Sequence, residues 1–311
     1  MKAIIEFWII FLFLGSSLIA QDKQKIILDC DLGDDIDDAF AVALTLISPE
    51  FEVLGLVMDY GNTPKRAQIA CKLLYEIGLE DIPVVIGRKT KDHYSPQFYW
   101  GEGFSRVKPV EVSAADFIIQ NLRKYPGEVI LFTVGPVPNM KDILDKDSEA
   151  LSLAKHIYSM FGSFYMGYGK DPVPDAEWNV RCDVEASKAF VSSGAPITYV
   201  PLDITTFIKL DEANRLKLLM RQSPLTNALS GLYTLWGHET PVLYDVVAIG
   251  MVLWPELFAT RPAFVKVIDG GFTVIDESQK PNSLIGMYIN EDEFIKRIME
   301  RYLNQNFNRN N

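Results

Sequence analysis

Cysteine is scarce in this 311-residue chain: Cys30, Cys71 and Cys182 are the only three. They form no CxxC pair and no framework of bridges, which excludes a zinc ribbon or a disulfide-stapled fold and leaves all three as small buried apolar residues. Histidine is as rare, and His93, His156 and His238 stand isolated, with no pair at metal-ligand spacing. Cations are outnumbered. The 30 Lys and Arg against 41 Asp and Glu leave a net charge of −11, which argues against a nucleic-acid surface because phosphate binding needs a basic excess. Residues 21–311 carry no repeat, low-complexity tract or linker. With 48% hydrophobic and 23% charged residues the balance is that of a soluble globular chain with a large core. Small molecules are the default partners.

The first twenty residues, MKAIIEFWIIFLFLGSSLIA, place Lys2 before the apolar run Trp8 to Leu14 and end in small residues up to Ala20. This is the pattern of a secretory signal peptide. The run is far short of the roughly 20 residues that a membrane span requires, so no stable insertion is expected after removal. Residues 21–311 then form the mature domain, exported to a periplasm or secreted.

Along that domain, apolar runs ending in Gly or Asp alternate with amphipathic stretches. Lys25–Asp31, Phe51–Tyr60, Ile82–Gly87, Glu128–Gly135 and Pro196–Asp203 predict buried strands; Asp37–Ser48, Lys65–Ile77, Ala114–Tyr125, Asn139–Leu144 and Asp183–Ser193 predict helices. The alternation implies an α/β fold, an open and mainly parallel sheet flanked by helices. Further on, Glu212–Met220, Asp245–Leu253 and Glu291–Asn304 predict helices, and Phe264–Asp269 with Gly271–Ile275 a late hairpin.

In such a sheet, ligands bind at the carboxyl ends of the strands. The stretch Asp29 to Asp38, DCDLGDDIDD, stands at such an end and holds six carboxylates in ten residues. Helix capping accounts for one or two of them. Six so close would raise one another's pKa values unless a cation neutralised them, and a hard divalent ion with oxygen ligands does so. An EF-hand loop fails in both frames: from Asp29, positions six and twelve are Asp34 and Phe40, and the frame from Asp31 ends on Val42. A haloacid dehalogenase-type phosphatase also puts Asp-x-Asp after its first strand, but continues into a Thr-bearing turn. The chain lacks a basic phosphate clamp as well.

DCDLGDDIDDAFAVAL resembles the N-terminal signature of the inosine-uridine-preferring nucleoside hydrolase family. Six further segments resemble that family's motifs in its order: Tyr60-Gly61-Asn62, Ile82 to Gly87, Phe132 to Asn139, Ala176 to Val180 with Asp183 and Ala186, Val200 to Thr205, and Tyr244 to Ala248. The resemblance covers residues 25 to about 260 and carries a Rossmann-like nucleoside hydrolase fold. It implies Ca²⁺-dependent hydrolysis of the N-glycosidic bond of a ribonucleoside to ribose and free base, through a metal-activated water and an oxocarbenium-like transition state. An anionic site suits that charge. By the same resemblance, Asp31 binds Ca²⁺ and serves as base, with Asp38, Asp245 and the Val134 carbonyl as further ligands. Asp37, Asn62, Glu177 and Asn179 hold ribose hydroxyls, and Trp178 contacts substrate. Trp100, Phe104, Tyr165 and Tyr168 are either core or a stacking surface for the base.

Simpler roles compete. Asn62 has the alternative of serving only its turn, Asn139 reads as an N-cap, Asp203 as orderer of its own loop, and Asp245 is open to plain capping. Three departures from the family pattern stand out. The acidic loop is one residue longer, leaving Asp34 and Asp35 without an assigned role. Tyr244 occupies the position where many members carry a leaving-group histidine, and as the catalytic acid it would need a lowered pKa. Gly169-Lys170-Asp171 and Trp100-Gly101-Glu102-Gly103 replace a Gly-Asn and a His-Gly segment. The metal and ribose residues are kept, so the expected difference lies in how the base is handled. A hydrolase of another N-ribosyl compound and an exported sugar- or nucleoside-binding protein are the alternatives; base preference and homo-oligomerisation stay open.

Overall fold

Every residue from Ile26 to Cys30 is buried, as a strand covered on both faces requires. Ile26, Leu28 and Cys30 join one apolar cluster and Ile27 the other, following the two-residue alternation of side chains along a strand. A computed structural model describes residues 23–307, and the expected signal peptide lies outside them.

The strands are β1 (Gln24–Cys30), β2 (Phe51–Met58), β3 (Val84–Ile86), β4 (Val129–Thr133), β5 (His156–Met160), β6 (Ile197–Val200), β7 (Phe258–Ala263), β8 (Val265–Ile268), β9 (Phe272–Ile275) and β10 (Ser283–Ile289). Eight form one sheet in the order β3-β2-β1-β4-β5-β6-β10-β7, with only the β10–β7 pair antiparallel. β8 and β9 make a separate antiparallel hairpin at the place expected from sequence. Helices Asp37–Ile47, Thr63–Ile77, Pro224–Trp236, Tyr244–Leu253 and Glu291–Asn304 bury their apolar sides against one face of the sheet. Ala114–Lys124, Pro138–Lys146 and Val184–Val191 cover the other. Among the described residues no helix is long and apolar enough to cross a membrane.

The chain winds from β1 outward to β3, then returns to place β4 on β1's other side. This reversal opens a crevice beyond the carboxyl ends of β1 and β4. Asp31 follows the first of these strands and Val134 the second. The acidic stretch therefore lies at the topological switch point of the sheet.

Three strands and one long helix were not expected. β5 carries His156 and Tyr158 half-buried among apolar neighbours, so no continuous apolar run marks it. β7 and β10 form the antiparallel edge, where exposed Thr260 and Tyr288 break the pattern. Pro224–Trp236 opens with a capping box between Ser223 and Thr226 and closes on left-handed Gly237, a signature of helix ends.

Candidate active site

The loop joining β1 to the Asp37–Ile47 helix turns at Gly33, whose φ of +107° lies outside the range of other residues and whose missing Cβ would stand 2.8 Å from Ile69 Cδ1. The helix has Ile36 at its N-cap and no side-chain cap. Asp37 and Asp38 are thus not capping residues: both are buried in its first turn, where the macrodipole favours negative charge. Asp245 enters from the first turn of the Tyr244–Leu253 helix, again without capping it. Its backbone N–H donates to Asp37 Oδ2 at 3.2 Å.

These three carboxylates each offer an oxygen within 4.8 Å of the others. Burial raises all three well above the ordinary carboxylate range, and the neighbouring aspartates add to the effect. Asp38 Oδ1 is buried with no hydrogen-bond partner. An orphaned oxygen inside a triad of buried acids is what a hard cation with oxygen ligands would satisfy. The donor set fits such an ion. Asp37, expected on the ribose, is drawn into this triad, while Asp31 faces the same cavity from the end of β1. Burial pushes Asp31 up to about 7, against the pull of Arg66.

Arg66 was not anticipated. It lies on the apolar stripe of the Thr63–Ile77 helix, wholly buried, and reaches under the acidic loop. Its guanidinium donates to the carbonyls of Asp31, Leu32 (3.1 Å) and Tyr60 (2.8 Å) and to Asp34 Oδ2 at 2.7 Å, and stands 3.7 Å from Asp31 Oδ2. His93 Nε2 lies 2.9 Å from the other oxygen of Asp34. The Gln97 amide donates to the Asp34 and Asp35 carbonyls, and the Ser95 hydroxyl to that of Gly33. One half of the inserted Asp34-Asp35 pair is therefore an internal counter-ion to Arg66. Asp35 turns to the other side, toward Trp236 and His238.

The opposite wall comes from the segment after β5. Glu177 caps the short Trp178–Cys182 helix, accepting from the N–H groups of Asn179 at 2.8 Å and Val180 at 3.3 Å, and from Gly162 at 3.0 Å. Burial nevertheless raises it to about 7. Asn179 donates to the carbonyls of Val134 (2.9 Å) and Met160 (3.0 Å), tying the ends of β4 and β5 together. Tyr168 and Tyr244 meet edge to face, ring centroids 5.9 Å apart.

The acidic loop, the carboxylate triad, Glu177, Asn179, Tyr168 and Tyr244 line one cavity of about 400 Å³, with Trp178, Arg181, Trp236 and His238 at its sides and Arg66 behind it. Of the residues singled out in the sequence, Asp31, Asp37, Asp38, Val134, Glu177, Trp178, Asn179, Tyr244 and Asp245 meet there. Asn62 does not line it: this residue precedes the Thr63–Ile77 helix, its carbonyl accepts from Lys65 and Arg66, and the left-handed turn falls on Tyr60 and Gly61 instead. Tyr244 lines the cavity, where a proton donor would need a lowered pKa. Burial and the surrounding carboxylates raise its phenol above the ordinary value, the opposite of what an acid requires. Asn139 is no N-cap; that place belongs to Val137, and the buried amide donates to Asp29 Oδ2 at 2.7 Å. Asp203 orders the neighbouring loop, accepting from Phe164 and Tyr165. Of the aromatic set, Tyr168 and Trp178 reach the cavity, whereas Trp100 and Phe104 pack elsewhere and Tyr165 meets Arg261.

Comparison with known proteins gives a consistent picture. The family model described as inosine-uridine preferring nucleoside hydrolase matches residues 26–296. Uridine nucleosidase 1 of Arabidopsis thaliana is 32% identical over 283 residues, covering 83% of each chain. The pyrimidine-specific ribonucleoside hydrolase RihA of Enterobacter sp. (strain 638) is 30% identical over 307 residues, covering 89% of this chain and 96% of its own. Among solved structures, the plant nucleoside hydrolase PpNRh1 superposes with a TM-score of 0.81 at 23% identity, over 91% of this chain and 99% of its own. The purine-preferring ribonucleoside hydrolase of Gardnerella vaginalis follows at 0.77 and 24%, over 90% and 98%.

Proposed function

The chain belongs to the inosine-uridine preferring nucleoside hydrolase family, and from that premise we propose that it is an exported Ca²⁺-dependent enzyme cleaving ribonucleosides to ribose and free base. Hydrolysis of an N-ribosyl bond is the family's chemistry. The ion, the residue roles and the export are our own reading. One observation carries it: a buried triad of carboxylates shares a cavity with a buried Glu177 and Asn179, so a cation site and a polyol site adjoin.

Asp37, Asp38, Asp245 and the Val134 carbonyl would hold the ion, with Asp31 beside them. When bound, Ca²⁺ would neutralise the repulsion among these acids and make a neighbouring water easier to deprotonate. Asp31 takes the proton of the attacking water. Its position suits the task, because Arg66 fixes the loop carbonyls while burial keeps the carboxylate a competent base near neutral pH. Glu177 and Asn179 bind the ribose hydroxyls, and Asp37 contributes from the other side. A buried acceptor left unpaired is costly, so deoxyribosides are disfavoured. As the bond to C1′ lengthens, positive charge grows on the sugar ring, and the anionic wall stabilises it. Tyr244 keeps its proton and lines the side from which the base departs. Trp178 and Tyr168 supply faces on which a base stacks.

Asp31→Asn tests the assignment. A loss of turnover of roughly 100-fold or more, with riboside affinity retained, is expected for removal of a general base; unchanged hydrolysis together with unchanged Ca²⁺ affinity overturns it.

A further inference from the structure

Tyr244 stands where the family usually has its leaving-group histidine, and a phenol is ordinarily too weak an acid to replace an imidazolium near neutral pH, yet a purine or pyrimidine anion is a poor leaving group and needs a proton as it departs. His238 is the one imidazole among the residues lining the cavity. It lies outside the motifs of the family signature, on the exposed turn that follows the Pro224–Trp236 helix. Two neighbours fix its surroundings. The Trp236 ring meets it edge to face with centroids 4.8 Å apart, and the inserted Asp35 lines the same cavity, near enough for its charge to act on His238. Asp35 is itself anchored, accepting the Ile36 N–H at 2.6 Å while Gln97 holds its carbonyl. The lengthened acidic loop thus sends one carboxylate down to Arg66 and the other across the mouth to a histidine.

We propose that His238 is the catalytic acid for the departing base, oriented by Trp236 and the inserted Asp35, so that a residue from a different element takes the place vacated at Tyr244. This rests on the riboside hydrolase reading above. As the C1′–N bond breaks, its electron pair stays on the base and the His238 imidazolium transfers a proton to a ring nitrogen. Water adds its oxygen to C1′ and gives its proton to Asp31. The neutral imidazole regains a proton from solvent, to which its exposed turn is open, and Asp31 releases to solvent the proton it took from water, so both groups are reset. Riboside and water go to ribose and protonated base, with nothing else consumed.

The test compares a nucleoside with 4-nitrophenyl β-riboside, whose nitrophenolate departs without a proton, in the full-length mature enzyme and its His238→Gln variant. His238→Gln should lower kcat on uridine or inosine roughly 100-fold or more while changing kcat on the nitrophenyl riboside less than about threefold, since general acid catalysis contributes 10²–10⁴ only where the leaving group needs the proton. An equal loss on both substrates, or a change confined to KM, makes His238 a binding or structural residue and overturns the inference. So does no loss on either. A wild-type enzyme inactive on both substrates would instead sink the hydrolase reading itself.

Discussion

Replacing Arg66 by Met removes the cation that, among the described residues, is buried beneath the acidic loop. The guanidinium serves three backbone carbonyls, those of Asp31, Leu32 and Tyr60, and pairs with Asp34 at 2.7 Å. Breaking a buried pair by deleting one partner costs about 3–5 kcal/mol, because the remaining charge stays buried and uncompensated. The Asp34 side chain is 23% exposed and also faces His93, which places the expected loss near the lower end, about 3 kcal/mol. Urea unfolding in excess chelator measures it directly. The Asp34→Asn change supplies the second arm of a double-mutant cycle, and a coupling of about 1–3 kcal/mol is expected between residues in direct contact. A loss below about 1 kcal/mol, or additive single changes, would refute the idea that Asp34 and Arg66 are mutual counter-ions.

Other outcomes follow from the same geometry. In the metal-free protein, burial holds Asp31 and Glu177 at about 7, above their unfolded values of 3.8 and 4.5. The folded state therefore binds more protons than the unfolded chain between these limits, and its stability should fall as pH rises from about 4 to about 7. Ca²⁺ should bind more tightly over the same interval, as the carboxylates lose the protons that compete with it; melting curves in chelator and in Ca²⁺ should diverge with rising pH, and parallel curves would contradict this. Asp38→Asn and Asp245→Asn should each weaken Ca²⁺ binding by at least tenfold in calorimetry, whereas Asn62→Ala should leave kcat and KM for ribosides nearly unchanged. If residues 1–20 are a cleaved leader, the protein recovered from a secreting host should begin at Gln21, as N-terminal sequencing would read.

The parallel sheet was legible because its inner strands, buried on both faces, appear as apolar runs such as Lys25 to Leu28 and Val129 to Phe132. β5 hid because His156, hydrogen-bonded to the Thr198 hydroxyl, remains half-buried, giving a strand of mixed polarity. The acid triad was largely visible, since six clustered carboxylates have no cheap alternative to a cation. Arg66 was not. A single arginine on an apolar helical stripe reads as a solvated first-turn residue until the fold places the loop above it. His238 was noticed as an isolated histidine, but only tertiary structure brings residue 238 opposite residue 35. Asn62 shows the converse: its motif matched, and yet the described cavity does not include it.

The most direct test of the whole account is release of free ribose from a panel of purine and pyrimidine ribonucleosides by the purified mature protein, assayed with Ca²⁺ and after exhaustive chelation. Ribose should appear with at least one nucleoside, vanish on chelation and return when Ca²⁺ is restored. No ribose from any nucleoside, or release that persists unchanged without the ion, would contradict it.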